Sequence, residues 1–209
     1  MSRDQGDTFK SALTEAISGV GIVTLSDEQL SQLAKHYSMM CRWNQRLNLT
    51  RITDLSEAAR LHYAESLFGA SFIAGERTLL DIGSGAGFPA IPVAVARPDV
   101  QVSALDANQK KSLFLKEAKD ELGLSNLTVV TSRLEETDWT DYELLMSRAL
   151  DRAENVLPSV IERLSPRQRL ILFCGPDLVA KLEREANCRS EAHAVPHSEA
   201  RLIAVFSRT

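Results

Sequence analysis

The sequence predicts an α/β fold, a mostly parallel sheet with helices on both faces, preceded by a small helical module. Three observations lead there. The first third of the chain carries apolar residues at helical spacing and no strand signal. After Arg77, short apolar runs alternate with helical stretches, as in strand–helix–strand units. The first of those runs feeds straight into a glycine-rich turn and another helix. The expected division is a helical module over residues 1–76 and an α/β domain over 77–209, and 209 residues suffice for one substantial core with such an addition.

Residues 8–18 read as a short amphipathic helix closed by Gly19-Val20-Gly21. Ser26-Asp27-Glu28-Gln29 has the spacing of a capping box, in which the Ser hydroxyl takes an amide three residues on and Gln29 reaches back. Leu30, Leu33, Tyr37, Met40 and Cys41 then recur on one helical face, extended by Trp43 and Leu47. A further helix is expected over 56–68, with Ala59, His62, Tyr63 and Leu67 on its buried side; Gly75-Glu76 marks a boundary. Strands are expected at 78–82, 100–105, 127–130, 143–146, 170–173 and 202–206. The intervening helices are expected at 91–96, 110–122 (stopped by Gly123), 155–164 and 178–186. In such sheets a ligand sits outside the carboxyl ends of the strands, near the point where strand order reverses. The residues that matter are therefore those at strand ends: 81–88, Asp106, 132–135 and Ser147-Arg148.

Composition narrows the function. A formal net charge of −4 argues against a protein that coats nucleic acid non-specifically, but not against a local cationic patch. Lys35, Arg42, Arg46, Arg51 and Arg60 are opposed only by Asp54 and Glu57 between positions 35 and 60. No apolar run is long enough to span a bilayer, and the polar, acid-bearing first residues lead us to expect no secretory leader. Cys41, Cys174 and Cys188 are far apart and form no CxxC pair, so reduced thiols in a cytoplasmic setting are expected. His193 and His197 are four apart, but Pro196 breaks any helix that would join them, and no metal site is expected. A GxSxG nucleophile motif is absent.

The glycine turn is the sharpest signal. Gly83, Gly85 and Gly87 follow the first strand directly, where positive φ and close backbone approach to a ligand are needed. Their GxGxG spacing is not the GxGxxG of dinucleotide sites, and no GK[ST] follows. Asp81 stands just before the turn, where a pyrophosphate would be repelled and a cationic ligand or its amino group would be favoured. Asp106, at the end of the second strand, is suited to both hydroxyls of a ribose.

This turn resembles the donor-binding motif of class I S-adenosylmethionine methyltransferases, which have a Rossmann-like sheet. The longer string Asp81-Ile82-Gly83-Ser84-Gly85-Ala86-Gly87-Phe88-Pro89-Ala90-Ile91-Pro92 resembles one family, the small-subunit (16S) ribosomal RNA guanine-N7 methyltransferases, first named glucose-inhibited division protein B. Trp43 to Thr50 is similar to that family's WNxxxNLT block, and His62 to Ser66 to its HxxDS block with Glu65 in place of Asp. Asp106 with Lys110 to Leu115, Ser132 to Glu136, and Ser147-Arg148-Ala149 resemble further blocks, so the likeness runs from about residue 25 to 206. It implies S-adenosylmethionine as methyl donor and ribosomal RNA or the small ribosomal subunit as partner. It implies a donor site of Asp81, Gly83, Gly85, Phe88, Asp106, Leu134, Glu135 and Arg148. Gly83 and Phe88 would act through backbone, Leu134 and Glu135 would flank the adenine, Arg148 would border donor and target, and Arg133 would reach RNA. We expect Arg133 and Arg148, at the ends of adjacent strands, to form the inner part of a cationic face, with Arg42, Arg46 and Arg51 outside it. The chain departs from the family at Cys174, where Lys is usual, at Ala200, near a usual Arg, and at Ala90, often Gly.

Guanine N7 carries no proton, so attack on a sulfonium methyl needs no general base, and the enzyme's contribution is positional. No residue is therefore assigned as a catalytic acid or base. Methylation of a small molecule or protein, and donor binding without catalysis, remain open alternatives at this point.

Overall fold

The computed structural model describes residues 3–19, 21, 24–148, 153–196, 198 and 200–208. Four helices come first: α1 (Arg3–Ile17), α2 (Asp27–Leu47), α3 (Leu55–Ala58) and α4 (Glu65–Ala70), with a π-helical turn, Ala59–Ala64, joining α3 to α4. The alternating part follows as β1 (Thr78–Ile82), α5 (Ala90–Ala96), β2 (Gln101–Leu105), α6 (Gln109–Leu122), β3 (Leu127–Val130) and β4 (Leu144–Arg148). It ends with α7 (Ala153–Arg163), β5 (Arg169–Cys174), α8 (Pro176–Glu185), β6 (Ser190–Ala194) and β7 (Leu202–Ser207).

The strands form one sheet in the order β3-β2-β1-β4-β5-β7-β6. β1 to β5 run parallel, β7 lies antiparallel to β5, and β6 antiparallel to β7. Strand order reverses between β1 and β4, which creates the crevice expected to hold a ligand. Side chains alternate across the sheet with period two. Leu79, Val102, Leu144 and Ile171 enter one core, and Leu80, Leu105, Leu145 and Leu170 enter the other. α7 and α8 cover the second face. The first is covered by α5 and α6 together with the amino-terminal helices, whose Phe9, Leu33, Met40, Tyr63 and Leu67 share its core.

Local signals behave as their chemistry requires. The Ser26 hydroxyl accepts from the Gln29 amide at 3.2 Å while the Gln29 side chain accepts from the Ser26 amide at 2.9 Å. Gln29 also donates to the Val95 carbonyl at 2.8 Å, tying the start of α2 to α5. Gly123 ends α6 at φ 66°. Two features lie outside the sequence-based expectation. The π-helical turn sits inside what reads as an ordinary amphipathic helix. Strand β6, Ser-Glu-Ala-His-Ala, pairs only through β7 at the sheet edge, so hydrogen bonding rather than a hydrophobic run defines it. Val20, Ala149, Asp151 and His197 lie outside the described residues.

Candidate active site

The glycine turn leaves β1 at the switch point. Gly83, Gly85 and Gly87 have φ of 77°, 56° and 90°, the left-handed region that glycine alone enters freely. The turn is bound from both sides: the amides of Gly83 and Ser84 donate to the Leu105 carbonyl at 2.8 and 3.0 Å, and that of Gly87 to the Ser84 carbonyl at 2.7 Å. Phe88 turns its ring inward, stacked on His62 at 4.5 Å and edge-on to Tyr63 at 5.0 Å, so its contribution to the turn is main chain.

The two acids differ. Asp81 is fully buried beneath the turn. Its Oδ2 accepts from the Ala90 amide at 3.2 Å, at the start of α5, while Oδ1 has no protein partner. Burial pushes its carboxyl up to about 7, against the lowering effect of Ser84 and the Ala90 amide. Asp106 is 8% exposed and braces the turn itself: Oδ2 accepts from the Gly85 amide at 2.9 Å and Oδ1 from Asn108 at 2.8 Å. A carboxylate oxygen takes two hydrogen bonds, so each of these oxygens retains one acceptor site. An orphaned buried acceptor, three positive-φ glycines and a carboxylate with spare lone pairs fit a cationic nucleoside donor such as S-adenosylmethionine.

Across the crevice, Arg148 ends β4 beside Ser147, whose hydroxyl donates to the Ile82 carbonyl at 3.0 Å. The Arg148 side chain is only 9% exposed, and its charge is met from the amino-terminal helices. The guanidinium donates to the Leu61 carbonyl at 2.6 Å and to His62 Nδ1 at 2.8 Å, and it lies 3.4 Å from the Glu65 carboxylate. Arginine only donates, so His62 Nδ1 is the bare nitrogen and Nε2–H faces the Thr50 hydroxyl at 2.8 Å. Burial, then the Arg148 charge, push the His62 imidazole down to about 3, which holds it neutral. Burial likewise lowers Arg148 to about 10, while Glu65 opposes that shift. Glu65 also takes Arg201 at 2.6 and 2.7 Å. Glu65, Arg148 and Arg201 line a cavity of about 320 Å³ together with Phe173, Cys174 and Ala200.

This network joins sequence blocks that look independent. Asn44 exchanges two 2.9 Å hydrogen bonds with the Thr50 backbone, and Asn48 adopts φ 48° to close α2, which returns the chain so that Thr50 meets His62. His62 and Glu65 are three apart, on the π-helical turn and the helix that follows it, and both face Arg148. The acid beside Arg148 is thus Glu65. Sequence reasoning missed Arg201, Glu65 and Thr50 as site residues, because nothing in their spacing along the chain brings them together.

One expectation is overturned. Arg133 and Arg148 do not lie at the ends of adjacent strands: β3 and β4 are consecutive in sequence, but β2 and β1 stand between them in the sheet. Three strand spacings separate them, about 14 Å. Arg133, Leu134 and Glu135 follow the edge strand β3, which pairs with the strand β2 that Asp106 follows; Arg133 and Glu135 are exposed and Leu134 is partly buried. The outer cations are also unequal. Lys35 is committed to Glu121 at 2.7 Å, whereas Arg42, Arg46 and Arg51 are exposed and Arg51 adjoins Thr50.

The sheet order, the switch-point crevice and the glycine turn define a class I S-adenosylmethionine-dependent methyltransferase fold. It is similar to the solved S-adenosylmethionine-dependent O-methyltransferase of Thermotoga maritima, with TM-score 0.58 and 15% identity over 81% of this chain and 71% of that one. It is also similar to the ribosomal protein L11 methylase of Lactobacillus delbrueckii subsp. bulgaricus, with TM-score 0.58 and 14% identity over 72% and 80%. At these identities the likeness carries the fold alone. Residues 29–206 match the family model GidB, described as rRNA small subunit methyltransferase G, and the chain belongs to that family. Proteins called ribosomal RNA small subunit methyltransferase G resemble it at 40% identity over 67% of both chains in Neisseria meningitidis serogroup C (strain 053442). In Hydrogenovibrio crunogenus the corresponding figures are 36% over 80% of this chain and 77% of the relative. No helix among the described residues is long and apolar enough to cross a membrane, and no cluster of three metal-ligating side chains is found among them.

Proposed function

We propose that this chain transfers a methyl group from S-adenosylmethionine to N7 of a guanine in small-subunit ribosomal RNA, with the RNA or the small ribosomal subunit as its cytoplasmic partner. When bound, the donor supplies a methyl group on a positively charged sulfur. Gly83, Gly85 and the Phe88 main chain form the close-approach surface, Asp106 offers its spare lone pairs to the ribose, and Asp81 offers Oδ1 to a cation. Leu134 and Glu135 flank the adenine, Arg133 meets RNA on that side, and Arg148 stands between donor and target. Residues 77–209 form the donor-binding part, and the helices of residues 1–76 contribute the docking face through Arg42, Arg46 and Arg51.

One observation carries the choice of atom. The imidazole that touches Arg148 is held neutral, its bare nitrogen occupied by the guanidinium and its N–H by Thr50. It has no free lone pair with which to collect a proton. Such a site suits a nucleophile that loses none, and ring N7 of guanine is one. The remaining contribution is alignment and exclusion of water. Incubating the protein with labelled donor and either small subunits or naked 16S RNA, then mapping the label, tests the proposal. N7-methylguanine at one position is expected; label on another atom, or none in RNA, overturns it.

A further inference from the structure

His36 is wholly buried in α2, on the amino-terminal side of the molecule, yet it touches the glycine turn. Its Nε2 lies 3.0 Å from the Ala86 carbonyl and its Nδ1 2.8 Å from the Tyr63 hydroxyl. A carbonyl only accepts, so Nε2 carries the proton. Nδ1 is then the bare nitrogen, and the Tyr63 hydroxyl donates to it. The relay runs from Tyr63 O–H to His36 and from His36 Nε2–H to Ala86. Burial pushes the imidazole down to about 3, so the ring stays neutral across the neutral range.

Ala86 needs such a hold. It stands between Gly85 and Gly87, at φ 56° and 90°, whose own sterics leave the adjoining peptides free to turn over. Three contacts remove that freedom: the Gly85 amide is tied to Asp106 at 2.9 Å, the Gly87 amide to the Ser84 carbonyl at 2.7 Å, and the Ala86 carbonyl to His36 at 3.0 Å. Ring and turn are in direct packing, since a Cβ on Gly87 would lie 3.3 Å from His36 Nε2 and 2.5 Å from Ile91 Cδ1. A leucine would fill the same space in this core without the hydrogen bond. A polar ring here makes sense for what it holds.

We infer that His36 is a positioning residue for donor binding, fixing the carbonyl side of the Ala86–Gly87 peptide of the glycine turn, with the Tyr63 hydroxyl donating to its bare Nδ1. The inference rests on the reading of that turn as the donor site. The test compares His36→Leu, His36→Gln, Tyr63→Phe and Asp106→Ala by calorimetric titration with S-adenosylmethionine, amide spectra of Gly85 and Gly87, and steady-state kinetics. His36→Leu should weaken donor binding about tenfold, the loss of one buried hydrogen bond. It should raise the donor KM with little change in kcat, shift the Gly87 amide resonance, and leave RNA affinity without donor unchanged. His36→Gln, whose amide N–H reaches the same carbonyl, should recover most of the affinity, and Tyr63→Phe should lose about threefold, less than a full hydrogen bond. A folded His36→Leu with donor affinity unchanged, or a Gln variant no better than Leu, overturns the inference if Asp106→Ala still weakens binding. If Asp106→Ala is also silent, the donor-site reading fails instead. Should His36→Leu not fold, an unchanged donor affinity in Tyr63→Phe overturns the inference.

Discussion

The two halves of the crevice are built in different ways. On the donor side, β1 and β2 end in a turn whose geometry is set by three glycines within five residues and by main-chain hydrogen bonds to the neighbouring strand. On the target side, one guanidinium from β4 is held by Leu61, His62 and Glu65 from helices more than eighty residues earlier, and Glu65 is shared with Arg201 near the carboxyl end. The first is local and backbone-based; the second is assembled from distant side chains in a buried place. The donor side should therefore lose ligand affinity when altered, and the target side should lose stability as well.

The largest effect expected is at Glu65. Its side chain is 5% exposed and faces two arginines, one of them also buried. Glu65→Leu leaves the Arg148 charge without its counter-ion, a change that typically costs about 3–5 kcal/mol. Urea denaturation should show a loss of that order, and methyl transfer should fall with it. If stability drops by less than about 1 kcal/mol, the pair is a loose surface contact and the contrast between the halves is lost.

Asp106→Ala is expected to act on the ligand instead. It removes charge-assisted hydrogen bonds worth roughly 1.5–3 kcal/mol, so donor affinity should fall about tenfold to a hundredfold. Because Asp106 also ties down the Gly85 amide, some of that loss will be disorder in the turn, visible as a broadened Gly85 amide resonance.

Acid sensitivity separates the halves again. His36 and His62 move from 6.5 when unfolded to about 3 when folded, so unfolding takes up protons between those values; their stabilising contribution is full above 6.5 and is lost as pH falls toward 3. Asp81 moves the opposite way, from 3.8 to about 7, so its contribution is full below 3.8 and is lost as pH rises to 7. Two imidazoles outweigh one carboxyl below 6.5, where these groups make stability rise with pH. Near pH 7 the opposing contributions cancel and the rise levels off. Urea titrations should show stability rising with pH and flattening near neutrality, and Asp81→Asn should steepen the rise.

The same contrast decides what was legible in the sequence. The glycine-turn half could be read because its geometry is written in consecutive residues: Asp81 to Phe88 states a tight turn with three positive-φ glycines. Most strands and helices followed from apolar periodicity, and β6 did not because Ser190 to Ala194 has none. In the target half the separate parts were visible, but their meeting was not. Nothing in the spacing of Thr50, His62, Glu65, Arg148 and Arg201 says that one chain of contacts joins them. The π-helical turn that brings Leu61 and His62 to Arg148 leaves no mark in amphipathic spacing. Strand order was the costliest gap, because consecutive strands β3 and β4 read as neighbours until the reversal at β1 is known.

Arg133 carries the smallest expected effect and tests that reversal. Three strand spacings, about 14 Å, lie between its strand and that of Arg148. Its side chain is exposed and makes no ion pair among the described residues. On the proposed reading, a cation so placed meets a phosphate rather than the target base. Arg133→Ala should then weaken RNA binding a few-fold and reduce the slope of log affinity against log salt by about 0.7–0.9, one phosphate contact. Donor affinity and turnover at saturating RNA should be nearly kept, whereas Arg148→Ala should abolish turnover at any RNA concentration. Binding isotherms at several salt concentrations, followed by single-turnover methylation at saturating RNA, separate the two. If Arg133→Ala slows methyl transfer at saturation as severely as Arg148→Ala, the RNA backbone does not merely pass over the edge strand, and the target reaches across the donor from β3 to β4.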